Sequence, residues 1–245
     1  MSRGIVLILS VTLLAACGST MTRAEKQDAA RINAQLGLSY AQRGQFAAAL
    51  DKLKRALSQD DELAPAHAGI AYVYQNLDDP QRAEIHYRKA LGFSPDDPAL
   101  KNNFGVFLCS RNRSYEAEPY FLEAAKDSRY ATPAAALTNA GRCMLGVNAE
   151  RAERHLRRAL QIDPAYRDAL GQMARLSFDQ GDYLRTRAFL QRYDLSTGAT
   201  PELLFIAARA EAALGDVAAS NALEQRLLLE FPESEQAVQL TPDPS

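Results

Sequence analysis

Along most of the chain, apolar residues recur three and four positions apart, the spacing that lines one side of an α-helix. The stretch Leu36-Gly37-Leu38-Ser39-Tyr40-Ala41 breaks at Gly44, and a second amphipathic stretch carries Ala49-Leu50, Leu53 and Ala56-Leu57. The same pair returns as Ile70-Ala71-Tyr72-Val73-Tyr74 followed by Ala83, Tyr87 and Ala90-Leu91, with Pro95 closing it. It returns again as Phe104-Gly105-Val106-Phe107-Leu108 followed by Ala117, Phe121 and Ala124-Ala125. A fourth pair reads Ala140-Gly141-Arg142-Cys143-Met144, then Ala152, Leu156 and Ala159-Leu160, ending at Pro164, with one residue fewer in its turn around Gly146-Val147-Asn148. Fainter pairs follow at Met173-Ala174 with Gly181 and Leu190, and at Ala207-Ala208 with Gly215 and Leu227. In these two, Thr186 and Ser220 replace the earlier alanines.

Each unit lies about 34 residues from the last, the period of the tetratricopeptide repeat. The packing logic fits that period. Gly37, Ala71, Gly105 and Gly141 leave room in the first helix for a close crossing, and Ala49, Ala83, Ala117 and Ala152 meet them from the second. Leu53, Tyr87, Phe121 and Leu156 fill the space beside each crossing. Proline lacks an amide hydrogen and restricts the residue before it, so Pro95 and Pro164 stop second helices. One helix pair cannot bury its apolar face alone, so such units stack. The expectation is an all-α fold, a right-handed α-solenoid of about six tetratricopeptide (TPR) helix-turn-helix repeats over residues 29–235, with a generic helical bundle as the alternative. Residues 17–28 are expected to form a polar tether and 236–245, with Pro242 and Pro244, a flexible tail.

The first residues carry a different signal. One basic residue, Arg3, precedes an apolar run from Gly4 to Ala16, and Cys17-Gly18-Ser19 follows. The run is shorter than the roughly 20 apolar residues of a membrane-spanning helix. A charged start, a short apolar core and small residues before a cut site make an export signal over residues 1–16. Leu14-Ala15-Ala16-Cys17 resembles the bacterial lipobox, which implies cleavage before Cys17 and acylation of that residue. An ordinary export signal with an incidental Cys17 is the alternative. Gly18, in place of the aspartate that retains such proteins at the inner membrane, implies the outer membrane, facing the periplasm. The covalent lipid on Cys17 is the only non-protein group expected. A formal net charge of -2 argues against nucleic acid as a partner, because neutralising phosphates needs a basic face.

On a solenoid, the side of the first helix turned away from its own partner lines a groove. Helical counting places Leu38, Tyr72, Gln75, Asn76, Asn102 and Val106 there. Three of these, Leu38, Tyr72 and Val106, are apolar or aromatic, and exposed apolar patches often mark a partner site. Packing between adjacent first helices is the competing explanation. Asn102 is suited to pair with a partner backbone, since its amide both donates and accepts. A partner helix or extended apolar segment suits such a surface. Cys109 and Cys143 fall late in consecutive first helices at similar heights, and with Cys17 lipidated they form an even pair in an oxidising compartment. A disulfide between them is expected, against two buried free thiols. His67, His86 and His155 have no metal-ligand spacing, and no nucleotide loop or serine elbow is present, so neither a metal site nor an enzyme is expected.

Three segments are more specific than the repeat itself: Gln35-Leu36-Gly37-Leu38-Ser39-Tyr40-Ala41-Gln42-Arg43-Gly44, His86-Tyr87-Arg88-Lys89-Ala90-Leu91, and Asn102-Asn103-Phe104-Gly105-Val106-Phe107-Leu108-Cys109. Together with Asn139-Ala140-Gly141-Arg142-Cys143 and the lipobox, they resemble the PilF/PilW family of type IV pilus biogenesis lipoproteins. That resemblance covers nearly the whole mature chain. It implies a pilotin that binds the type IV pilus secretin subunit and promotes its outer-membrane localisation and multimerisation, supporting twitching motility. It also implies partnership with the lipoprotein-sorting machinery and attachment to the membrane through the lipid anchor. A scaffold of general outer-membrane protein assembly or cell-envelope maintenance is the alternative function.

Overall fold

The computed structural model describes residues 21–240. The signal over 1–16, the acylation site Cys17 and the end of the tail lie outside the described residues. Among the described residues all regular structure is helical. Six antiparallel pairs run in order: α1 (Arg23–Gln42) with α2 (Phe46–Gln59), α3 (Ala64–Asn76) with α4 (Pro80–Phe93), α5 (Pro98–Ser110) with α6 (Ser114–Lys126), α7 (Pro133–Met144) with α8 (Ala149–Ile162), α9 (Arg167–Asp179) with α10 (Tyr183–Tyr193), and α11 (Pro201–Ala213) with α12 (Val217–Glu230). A 3-10 turn at Leu195–Thr197 and a short α13 (Glu235–Val238) complete the chain. Each helix packs mainly on its own partner and then on the next pair. This is the six-unit TPR array read from the sequence.

The helix starts follow from local chemistry. Pro80, Pro98, Pro133 and Pro201 each open a helix, where the missing amide costs nothing. Asp79, Asp97, Asn148, Asp182 and Asp216 cap first-turn amides with their side chains, which satisfies donors that the helix itself cannot. In five of the six pairs the reversal uses a left-handed residue, the α7–α8 turn being the exception. Glycine supplies it at Gly44, Gly181 and Gly215, and Asp78 and Asn112 hold the same place in the second and third pairs.

The crossings are tight. A Cβ added to Gly37 would lie 2.5 Å from Leu53 Cγ, and one added to Gly141 would lie 2.6 Å from Leu156 Cγ. At that range something must shift, so these positions exclude any larger side chain. Thr186 takes the alanine's place in the fifth pair without leaving a bare hydroxyl: it is fully buried and its Oγ1 donates to the Asp182 carbonyl at 2.9 Å.

Both ends extend further than the sequence boundaries. Residues 23–28, assigned to the tether, are the first turns of α1. Thr22 and Glu25 form a capping box, with the Glu25 amide donating to Thr22 Oγ1 at 3.3 Å and the Thr22 amide to Glu25 Oε2 at 2.7 Å. Such reciprocal capping stabilises a helix start. At the other end, residues from 236 to 240, assigned to the tail, are not all free. Ala237 of α13 is 1% exposed and packs with Leu204 and Leu227, covering the end of the array.

A cleft between the second and third repeats

The first helices of neighbouring repeats run side by side at α1 and α3, at α7 and α9, and at α9 and α11, whereas α3 and α5 stand further apart. Aromatic rings fill the junction beneath. Where the first and fourth repeats place Leu53 and Leu156, the second places Tyr87, which packs on Phe104 and Phe107 at ring-centroid separations of 5.7 and 5.3 Å. Tyr120 meets Phe104 edge-on at 4.9 Å. These rings join the two repeats in one core beneath their first helices. The space left is a cleft of about 390 Å³ lined by Leu38, Gln42, Ala68, Tyr72, Gln75, Tyr87, Asn103 and Val106.

Its floor and rim differ chemically. Tyr87 is buried, and its hydroxyl donates to Gln75 Oε1 at 3.0 Å. Burial pushes the Tyr87 phenol above its ordinary pKa, so it remains a neutral donor. Tyr72 stands at the rim, 40% exposed. Leu38 and Val106 are half-buried on either side. The result is an apolar trough with one satisfied polar pair at its base and amides at its edge. That suits apolar side chains flanked by polar backbone.

Of the residues placed in the groove from the sequence, Leu38, Tyr72, Gln75 and Val106 share this cleft. Two do not. Asn102 points to the fourth repeat, where its Oδ1 accepts from Asn139 Nδ2 at 3.1 Å. Asn103, one position on, lines the cleft instead, because one helical step turns a side chain by about 100°. Asn76 lies at the exposed end of α3 and turns back to the Tyr72 carbonyl at 2.8 Å. Tyr87 and Gln42 line the cleft without having been anticipated. Tyr87 belongs to a second helix and reads as core, and only its bulk relative to Leu53 hints at a wider junction. A larger, more open depression of about 690 Å³ lies among the loops at Ser94–Ala99 and Arg129–Ala131. Arg129 fills part of it by donating to the Asp96 carbonyl at 2.7 Å.

Beside the cleft, α5 and α7 carry Cys109 and Cys143 with Cα atoms 5.7 Å apart, inside the range a disulfide requires. Away from it, the structure joins side chains that are distant in sequence. His67 Nδ1 meets His86 Nδ1 at 3.0 Å, and His67 Nε2 meets the Asp61 carbonyl at 3.0 Å. Burial lowers both histidines' pKa values, His86 to about 4, where neighbouring His67 and then Lys89 and Lys54 add to the effect. Buried His155 meets buried Glu118 at 2.6 Å, and Arg151 holds the same carboxylate at 2.7 Å. Among the described residues no group of three or more His, Cys, Asp or Glu is arranged to hold a metal, and no helix is long and apolar enough to cross a membrane.

A tetratricopeptide-repeat family profile matches residues 64–97, the second pair. The type IV pilus assembly protein PilF of Pseudomonas aeruginosa is 33% identical over 162 residues, 66% of this chain and 63% of that protein. The match therefore spans slightly under two thirds of that relative's length. Among solved structures, PilW, described as a widely conserved type IV pilus biogenesis factor, superposes with a TM-score of 0.78 at 30% identity, covering 86% of this chain and 98% of PilW. The Pseudomonas aeruginosa PilF structure gives 0.78 at 27% identity, covering 87% and 97%. A likeness of that identity, running through almost the whole of PilW, places the chain in the PilF/PilW family of TPR-containing type IV pilus assembly proteins.

Proposed function

We propose that the chain is an outer-membrane lipoprotein of type IV pilus biogenesis, a pilotin, that binds the pilus secretin subunit and promotes its localisation and multimerisation. The observation that carries this reading is the apolar cleft formed by Leu38, Tyr72 and Val106 on a chain of the PilF/PilW family. A rim tyrosine over an apolar trough is the kind of residue that dominates binding energy at interfaces. In this reading Cys17 carries the lipid, the lipoprotein-sorting machinery delivers the chain to the periplasmic face of the outer membrane, and the array presents the cleft to a secretin subunit. Anchoring raises the local concentration of bound subunits and so favours their assembly. No bond is made or broken. The Cys109–Cys143 disulfide belongs to the proposal, as the tie that fixes one wall of the cleft to the fourth repeat.

Deleting the gene and examining secretin multimers in unheated membrane extracts tests the reading. Loss of multimers together with loss of twitching is expected. Normal multimers would reject it, and a general loss of outer-membrane proteins would point to a broader assembly role. Tyr72→Glu is expected to weaken secretin binding by about tenfold or more while leaving the fold intact, because the side chain is at the rim. Unchanged binding would place the contact elsewhere. Cys17→Ser should keep binding and lose the outer-membrane secretin.

A further inference from the structure

The residue that follows the small crossing residue of each first helix occupies the same register position in every repeat. In the first three it is Leu38, Tyr72 and Val106, which line the cleft. In the last three it is Arg142, Arg175 and Arg209, all exposed. The groove-side stripe therefore changes from apolar to cationic between α5 and α7. Arg175 is held by Glu202 at 3.0 Å. Among the described residues neither Arg142 nor Arg209 pairs with a carboxylate: Arg142 donates to Asn139 Oδ1 at 3.1 Å, and Arg209 rests over the Phe205 ring at 5.2 Å. The remaining acids of α9 sit at its ends, Asp168 in the first turn and Asp179 in the last.

A second series runs alongside. Three positions before Val106, Arg142 and Arg175 stand Asn103, Asn139 and Gln172. Asn103 lines the cleft, and the buried Oε1 of Gln172 has no hydrogen-bond partner. Asn139 is engaged by Asn102 and Arg142 and the Gln172 oxygen is buried, so the amides turned to a ligand are the exposed Asn103 and Gln42 at the cleft, each able to donate to and accept from the backbone of an extended chain. The Asn102–Asn139 bond and the cysteine pair tie α5 to α7, so Arg142 is held at a fixed offset from Val106.

We infer that the ligand of this surface is an extended peptide segment of mixed character, with apolar side chains seated between α3 and α5 and acidic side chains reaching Arg142 and Arg209. This inference rests on the groove reading above and specifies the chemistry of its occupant. Charge complementarity chooses between occupants: a purely apolar helix would leave the arginines uncompensated, and a basic segment would be repelled.

Selection of a random peptide library on the immobilised mature chain tests it. The expected consensus is an apolar cluster flanked by Asp or Glu. Repeating the selection on an Arg142→Glu, Arg209→Glu double variant, checked for helicity, should replace the acids by Lys or Arg. For the best acidic peptide that variant should raise the Kd by about tenfold, and exchanging its acids for lysines should recover most of the loss. An apolar consensus without acids, or one unchanged by the double variant, would overturn the inference and leave the cleft reading standing. A consensus unchanged by Tyr72→Glu, or no enrichment over bare matrix, would overturn both.

Discussion

The first three repeats and the last three share one backbone plan and differ in what they build on it. Residues from Ala34 to Phe121, with Ala140 and Cys143, form a single continuous core that includes Tyr74, Tyr87, Phe104, Phe107 and Phe121. Beyond it the core divides into three smaller clusters, mostly of Ala, Leu and Met. The outer surface divides at nearly the same place, from an apolar cleft to exposed arginines. One device ignores the boundary. Glu84 pairs with Arg113, Glu118 with Arg151 and Glu153 with Arg185, at 2.7, 2.7 and 2.6 Å, stitching second helices of successive repeats. The plan constrains the small residues at the crossings, the large ones beside them and the caps and turns, and leaves the groove-side positions free to diverge.

If the N-terminal core is one unit, Phe104→Ala should destabilise it by about 3–5 kcal/mol and expose all three repeats together. Leu204→Ala, equally buried, should cost about 2–5 kcal/mol and loosen only the last repeats. Urea denaturation with hydrogen exchange separates the two outcomes, and equal spreading from both sites would erase the distinction. Next in size is the tie across the boundary. The Cys109→Ser, Cys143→Ser variant should lose about 2–4 kcal/mol, with protection falling first between α5 and α7. Denatured, unreduced mature protein, with Cys17 acylated, should show no reactive thiol.

A smaller effect separates the halves by pH. His67 and His86 both belong to the second repeat, and both have folded pKa values below the unfolded value of about 6.5, His86 at about 4. The unfolded chain binds more protons in that window. Stability is therefore full above about pH 6.5, falls as the pH drops toward 4, and the fall should be shallower in His86→Gln. Thermal melts at pH 7 and 4.5 measure this, and an unchanged slope in the variant would dissociate the pair from it. Smallest should be Arg185→Gln. It cuts a surface stitch at Glu153 worth under about 1 kcal/mol, which equilibrium unfolding would register as a slight shift of the midpoint.

The fold was readable because its determinants are local and periodic. Gly37 facing Leu53 and Gly141 facing Leu156 can be inferred from spacing alone. The start of α1 was equally legible in Thr22-x-x-Glu25, yet the polar composition of residues 23–28 masked the cap. At the cleft, Leu38, Tyr72 and Val106 follow from counting turns. Asn102 and Asn103 show the limit of counting, since a small error in helical phase exchanges a lateral contact for a groove contact. Tyr87 lay beyond it, because a residue of a second helix reaches the cleft only where neighbouring first helices leave it uncovered. The His67–His86 contact left no local trace, as it joins different helices.

The uneven spacing of the first helices has a mechanical side. A stacked array bends most where neighbouring units are least coupled. Here the α3–α5 seam, where the second and third repeats are joined by the rings of Tyr87, Phe104 and Phe107 more than by backbone laid against backbone, adjoins the α5–α7 seam with its Asn102–Asn139 bond. A segment lodged in the cleft would add a second line of contact across the first of these seams. Binding would then stiffen the array as well as occupy it, and a loaded molecule would present its two ends at a more nearly constant angle than an empty one.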